Sequence, residues 1–280
     1  MSAGPTHGAP PRHDFVVRPD GTVVGDDGAA GGLAAALPFT GRLARRVGEL
    51  AGIGDLRAWE ALGTRRLTVG VTWTPAGEGT YRAGLVPAEP RSVPTFMVVG
   101  AASTAATVAH CLDRVLAVEG VRWGGVVTAA SRVVAAAGDG AATSHLDEVG
   151  TRVLAILRSL EDQHVAGFVR LQYEVASVVG ASLGRHALVV CTLAAEDDEL
   201  LATVDEVRAI LADRDLSTVP TQDVSASGEV VEQVPPAQPP LVGARFAGAG
   251  AREPRRARRR FGRGTLSPSP GETPRTSTRG

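Results

Sequence analysis

The chain has 280 residues, of which 44% are apolar and only 4% aromatic, so it is long enough for one or two packed domains with small-residue cores. The formal charge of −1 hides an asymmetry: residues 245–280 hold ten Arg and two acidic residues, a balance of +8 that leaves −9 on the rest. The two cysteines, Cys111 and Cys191, lie in apolar stretches and are expected to be buried reduced thiols, with no indication of a disulfide framework. No stretch has the pattern of a secretion signal or membrane span. We therefore expect a cytoplasmic protein.

The N-terminal half begins with a predicted hairpin. Residues 1–13 are rich in Pro and Gly and are predicted to be disordered. Phe15–Val17 and Thr22–Val24 then flank Arg18-Pro-Asp-Gly21, and Asp-Gly between β-branched runs is a strong hairpin pattern. A helix is expected from about Phe39, with Pro38 in its first turn and an end at Gly52 or Gly54. Its inward residues are expected to be Leu43, Val47 and Leu50.

Three strands are predicted after this helix, at Arg66–Trp73, Thr80–Val86 and Thr95–Val99. The segment 14–103 therefore reads β-β-α-β-β-β.

The second half begins with a helix at Ser103 or Thr104 that runs to Val118. Val126-Val127 and Val133-Val134 are expected to form a hairpin, and Ser144-x-x-Asp147 is a capping box for a second helix. The apolar residues of that helix recur at helical spacing and form one stripe. They are Leu146, Val149, Val153, Ile156, Leu157 and Leu160.

The remaining elements complete a repeat. Phe168–Val179 is strand-like with a turn near Ala176, further turns are expected at Gly180 and Gly184, and a strand starts at His186. A last helix begins at Asp197 or Asp198, which gives α-β-β-α-β-β-β-α over 104–214. Both halves carry a hairpin, a helix and strands, a degenerate repeat with a spacing of roughly 90 to 110 residues. The helix at 104–118 would close the first unit and open the second.

The segment from Thr104 to Asp213 resembles the roadblock/LC7 family in this order of elements. The resemblance is carried by TVAHCLDRVLAVEGVRWGGVVTAASRVVAAAGD, SHLDEVGTRVLAILRSLEDQ and FVRLQYEVASVVGASLGRHALVVCTLAAEDDELLATVDEVRAIL. Val118-Glu-Gly-Val121 stands where members have a Gly-Val phrase before the first strand. Segment 14–103 resembles a degenerate copy, with Arg18-Pro-Asp-Gly-Thr-Val in the place of Ala129-Ala-Ser-Arg-Val-Val.

The resemblance implies an α/β (α+β) fold in which two units with antiparallel sheets pair edge to edge and pack their middle helices together. A tandem chain could form this pair internally, as a pseudo-dimer, followed by a disordered Pro/Arg-rich tail over 215–280. Roadblock proteins act without cofactors as docking platforms for small Ras-like GTPases or motor subunits. We therefore expect a non-catalytic interaction module that docks a small GTPase or a related signalling partner, with no bound metal or cofactor. Its expected interface is the stripe of Leu146, Val149, Val153, Ile156, Leu157 and Leu160.

The Arg-rich tail could contact an acidic protein face, anionic lipid or nucleic acid, or remain solvated. The cations expected to make this contact are Arg255, Arg256, Arg258, Arg259, Arg260 and Arg263. An alternative function is a small-molecule sensor of profilin- or PAS-like architecture, which would need an apolar pocket with convergent polar groups.

One motif could indicate an enzyme. Gly180-Ala-Ser-Leu-Gly184 matches the nucleophile elbow of α/β-hydrolases. That elbow needs a helix after the serine and a later histidine, but a strand follows Ser182 and His186 is the last histidine of the chain. We interpret the motif as a turn between strands.

Overall fold

The computed structural model describes most of the chain between residues 12 and 220. The described ranges are 12–25, 30–88, 103–139, 143–161, 166–193, 198–212 and 214–220. The predicted strand Thr95–Val99 and the tail cations Arg255, Arg256, Arg258, Arg259, Arg260 and Arg263 lie outside these ranges.

The described residues form an α+β fold, as expected. The first half contains β1 (His13–Val17), β2 (Val23–Val24), α1 (Gly31–Ala51), β3 (Leu56–Gly63), β4 (Arg65–Trp73) and β5 (Gly79–Pro87). The second half contains α2 (Thr104–Leu116), β6 (Val121–Val127), β7 (Val133–Gly138), α3 (Thr143–Glu161), β8 (Ala166–Tyr173), β9 (Ser177–Leu183), β10 (His186–Thr192) and α4 (Asp198–Leu211).

All strands join one antiparallel sheet with the order β2-β1-β5-β4-β3-β8-β9-β10-β6-β7. The order of one half mirrors that of the other, and the two halves meet where β3 pairs with β8. The central pair is Glu60 and Arg170, flanked by Trp59–Leu171 and Ala61–Val169. Since β8 begins 110 residues after β3, these two central positions are equivalent in the repeat and lie on its internal two-fold axis. The edge-to-edge arrangement expected of a pseudo-dimer is therefore confirmed.

The two hairpin turns also occupy equivalent positions in the repeat. Arg18 N donates to Thr22 O at 2.9 Å, and Thr128 N donates to Arg132 O at 2.8 Å. Gly21 (φ 82°) and Ser131 (φ 61°) take the left-handed position of their turns. Arg18 therefore aligns with Thr128, and the sequence alignment of Arg18 with Ala129 is wrong by one residue.

The helices cover the sheet unequally. α1 and α3 pack together on one face of the sheet, where Thr40 Oγ1 and Ser159 Oγ are 3.2 Å apart. α2 and α4 pack on the opposite face against strands of the second half, and α2 contacts β6, β7 and α4. Helix α2 therefore opens the second unit, as expected, but the prediction that it also closes the first unit is wrong.

The composition of the strands explains this difference. On the face covered by α2 and α4, β9 and β10 present Val179, Ala181, Leu188 and Val190, which belong to the second hydrophobic core. The corresponding pairs of β4 and β5 are Thr68–Gly84 and Gly70–Arg82. The first unit lacks the apolar surface that a covering helix would bury there, so the described helices cover only the second unit on this side.

The first half differs from the sequence prediction in the start of its helix and in one additional strand. Helix α1 begins at Gly31, so Pro38 lies inside it and not in its first turn, and Leu43 and Leu50 are only partly buried. Its end at Gly52 is confirmed, where a left-handed φ of 64° terminates the helix. Strand β3 was not predicted, because LRAWEALG contains mostly helix-forming residues. Its two neighbouring strands impose the extended conformation.

The second half follows its prediction more closely. Ser103 caps α2 by accepting a hydrogen bond from Ala106 N at 3.2 Å, and the turn before Ser177 splits β8 from β9 as expected. Gly180, however, lies inside β9 and not in a turn. A Cβ at this position would collide with the side chain of Val153, which explains the glycine. The predicted capping box does not stand at the start of the helix, since α3 already includes Ser144. The Asp147 carboxylate accepts a hydrogen bond from Glu148 N instead.

The folded region extends further than predicted at both ends. Strand β1 starts at His13, and the chain continues after α4 into a short 3-10 helix, Leu216–Thr218. Leu216 and Val219 are buried in the second core, so the predicted tail boundary at 215 is too early.

We predict opposite effects from exchanging the residues at the two left-handed turn positions. Ser131→Gly should raise the free energy of unfolding by up to about 1 kcal/mol, because Gly accepts a positive φ without the steric cost of a Cβ. Gly21→Ser should lower it by a similar amount, since no atom lies within 4 Å of the added Cβ and only the backbone conformation is penalised. Urea unfolding of the two variants measures both effects, and shifts of the same sign would contradict the equivalence of the turns.

We also predict that Val153→Asp strongly destabilises the fold. Val153 is fully buried in the core between α3 and the sheet. A buried, unpaired carboxylate costs about 3–5 kcal/mol, a large part of a total stability of about 5–15 kcal/mol. Thermal unfolding and gel filtration measure the loss, with His145→Asp as the control at an exposed position of the same helix. A Val153→Asp variant that melts and elutes like the parent chain would contradict this packing.

Candidate functional site

The hydrolase-like motif does not assemble a catalytic pair. Ser182 pairs with Ala187 and Leu183 pairs with His186, so Ser182 and His186 lie on opposite faces of the sheet. Ser182 Oγ donates to Gly184 O at 3.2 Å, and His186 Nδ1 accepts from Ala129 N at 3.1 Å. The interpretation of this motif as a turn between strands holds for Gly184, while residues 180–183 belong to β9.

Other chemical groups are dispersed or buried. No group of three His, Cys, Asp or Glu residues with metal-binding proximity occurs within the described ranges. Cys111 and Cys191 are both buried free thiols, and burial raises the pKa of each to about 11. A thiol with such a pKa carries almost no thiolate at neutral pH, so neither cysteine has the character of a nucleophile.

The six predicted interface residues are all buried in the inner core. Leu146, Val149, Val153, Ile156, Leu157 and Leu160 face the sheet and α1. They belong to a core cluster that both units share, and their side chains offer no free surface to a partner. The surface that remains accessible on α3 lies on the other side of the helix.

A groove lies on that accessible side, between α1, α3 and the β6–β7 turn. Its volume is about 410 Å³, and we refer to it as the helix groove. It is lined by Phe39, Ala129, Ser131, Thr151, Leu154, Ala155, Arg158 and Ser159. Phe39 is 46% exposed. Among the exposed large apolar residues in the described part of the chain, it is the one with an aromatic ring.

The polar groups of the helix groove differ in how far they are satisfied. Thr151 Oγ1 donates to Asp147 O at 2.7 Å, and Ser159 Oγ donates to Ile156 O at 2.9 Å. Arg158 is exposed and makes one long hydrogen bond, from Nη2 to Arg185 O at 3.5 Å, with no ion pair to another described residue. The guanidinium of Arg158 is therefore the group with free hydrogen-bonding capacity, and its charge is the single charge of the lining.

The β6–β7 turn forms one wall of the groove and is held from behind by His186. Because His186 Nδ1 accepts a hydrogen bond from Ala129 N, this nitrogen must be unprotonated. Burial lowers the pKa of His186, Arg185 lowers it further, and Asp215 opposes both. The imidazole is thus kept neutral near pH 7, in the form that can hold the turn.

A second pocket lies on the uncovered sheet face of the first unit. Its volume is about 420 Å³, and its floor includes Gly70 and Gly84. Several of its polar groups already bond to each other: Arg12 Nε donates to Asp14 Oδ1 at 2.7 Å, and Thr68 Oγ1 donates to Gly84 O at 3.3 Å. These groups do not converge on an enclosed space, as a small-molecule sensor would require.

Sequence reasoning did not identify Phe39 or Arg158 as surface residues of interest. The relevant pattern was present for Phe39, since it falls outside the buried positions of α1, which include Leu33, Leu37, Ala44 and Val47. That pattern is visible only when the helix is known to start at Gly31.

Comparisons with known proteins add no family. A scan against protein-family models gave no match to this chain, and a search of curated proteins also gave no match. Within the described ranges, none of the helices has the length and apolar character needed to cross a lipid bilayer.

We predict that both cysteines are almost inert in the folded protein. At pH 8 a thiol with a pKa of about 11 is roughly 0.1% thiolate, whereas an unperturbed cysteine is roughly one quarter thiolate. Labelling with a chromogenic disulfide reagent should therefore be slow in buffer and fast in a denaturing concentration of urea. Rapid labelling of a folded chain would contradict the burial of these residues.

Proposed function

We propose that this protein is a non-catalytic interaction module that docks a small Ras-like GTPase or a related signalling partner. The observation that carries the proposal is the junction of the two units, in which β3 pairs with β8 and α1 packs on α3. This is the arrangement that the resemblance to the roadblock/LC7 family implies for a pair of docking units. An internal pair has two chemically different halves, so a partner would meet an asymmetric surface.

The distribution of chemical groups supports a docking role over a catalytic one. Ser182 and His186 face opposite sides of the sheet, and both cysteine thiols are protonated at neutral pH. Arg158, by contrast, is a cation with free hydrogen-bonding capacity beside an exposed aromatic ring. Aromatic residues and Arg are enriched at protein interfaces, where they provide anchoring contacts.

We propose that the Arg-rich tail adds an electrostatic contribution to docking. Its +8 charge could pair with an acidic face of the partner, which would increase the rate of association and make it sensitive to salt. This contribution is separate from the shape of the folded region, so it can be removed without changing any described residue.

The expected outcome of affinity capture is enrichment of a small GTPase. The full-length tagged chain is incubated with an extract of its native cells containing either GDP or a non-hydrolysable GTP analogue, and an excess of untagged chain is the competition control. A candidate GTPase is then purified and tested for direct binding and for a change in its hydrolysis rate. A variant with Gln at Arg255, Arg256, Arg258, Arg259, Arg260 and Arg263 should retain binding but lose part of its salt dependence.

The absence of any nucleotide-binding protein among specifically captured species would overturn the proposed function. If a metabolite panel then raised the melting temperature of the chain, the sensor hypothesis would replace it, because a ligand that binds the native state stabilises that state.

A further inference from the structure

We infer that the helix groove receives a partner segment in which an apolar side chain lies next to a carboxylate. This inference rests on the proposed function, since it names the surface and the partner chemistry for docking. The groove combines an apolar floor of Leu154 and Ala155, an aromatic wall of Phe39 and one exposed cation, Arg158.

The apolar part of the groove suits the apolar side chain of the partner segment. A volume of about 410 Å³ lies near the lower end of the range of about 300–1,000 Å³ for ligand pockets, which suits one or two inserted side chains. Phe39 exposes nearly half of its surface to water although the chain is poor in aromatics. Covering this ring and the adjacent, partly exposed Ala155 removes apolar surface from water, which favours association.

The charge of the groove suits the carboxylate of the partner segment. The lining contains Arg158 and no acidic residue, while Thr151 and Ser159 already donate to carbonyl oxygens of their own helix. A carboxylate from the partner would replace the 3.5 Å contact of Arg158 with Arg185 O by a shorter, charge-assisted hydrogen bond. A basic segment would instead be repelled at this point, so charge complementarity selects an acidic partner segment.

The wall formed by the β6–β7 turn is built to hold its shape. Ser131 keeps a φ of 61°, a conformation that costs a non-glycine residue about 1–2 kcal/mol. Two backbone hydrogen bonds within the turn and the bond from Ala129 N to His186 fix it. Backbone strain of this kind persists where the surroundings enforce it, and it concentrates at ligand contacts.

The test is selection of random peptides displayed on phage against the immobilised full-length chain. We expect enriched peptides to carry a Leu, Ile, Met or Phe beside Asp or Glu. A labelled synthetic copy of the most enriched peptide is then titrated by fluorescence polarisation. The Kd should rise at least tenfold for Phe39→Asp and about fivefold for Arg158→Glu. Val175→Asp, which changes another exposed apolar residue, should leave the Kd unchanged.

Folding of each variant is checked by its melting curve, and Phe39→Ala provides a second variant that keeps a strong helix former at this position. The inference is overturned if no peptide is enriched, if the enriched peptides are basic or lack an acidic residue, or if their binding is unaffected by both Phe39 variants.

The outcomes also separate this inference from the proposed function. A small GTPase that binds the Phe39→Asp variant as tightly as the parent chain would overturn the groove as the docking surface and leave the function standing. Acidic-apolar peptides that bind the groove, together with an affinity capture that contains no GTPase, would support the groove and overturn the function.

Discussion

The pairing of β3 with β8 is the contact on which the rest of the structure depends. Without it each unit would expose an eight-residue edge strand with unpaired N–H and C=O groups, which would invite association with other chains. The pairing is intramolecular, so it needs no second chain and forms at high effective concentration. Helices α1 and α3 secure it from one face through the Thr40–Ser159 contact and the Arg46–Glu148 ion pair at 3.9 Å.

Covalent linkage also releases the two units from the requirement to be identical. In a symmetric homodimer, residues on the two-fold axis face copies of themselves. Here the axial positions hold Glu60 and Arg170, and the negative charge of Glu60 raises the pKa of Arg170 against the larger lowering effect of its burial. The two units also differ on one face of the sheet: the first unit has a polar face with Thr68 and Arg82, and the second has the apolar face that α2 and α4 bury.

The parts of the fold that follow local rules could be predicted from the sequence, and the parts imposed by neighbours could not. Asp20-Gly21 specifies its hairpin, and the spacing of Leu146 to Leu160 specifies α3, because turn chemistry and periodicity are local. Strand β3 is extended only because β4 and β8 lie on both sides of it. Gly180 resembles a turn residue but provides space for Val153. The helix groove was not predictable either, since Phe39 and Arg158 come together only when α1 and α3 pack antiparallel.

One wall of the groove is a turn that holds a non-glycine residue, Ser131, at a positive φ. This turn is equivalent to the β1–β2 turn, yet it holds Ser131 in a conformation for which the first unit uses Gly21. His186 supplies the additional hydrogen bond to Ala129, and the lowered pKa of His186 keeps the accepting nitrogen free of a proton at neutral pH. The wall beside Phe39 and Arg158 is therefore fixed before any partner arrives. A preformed wall reduces the ordering cost of association, so a small apolar contact and one charge pair can contribute more of their gross energy to binding.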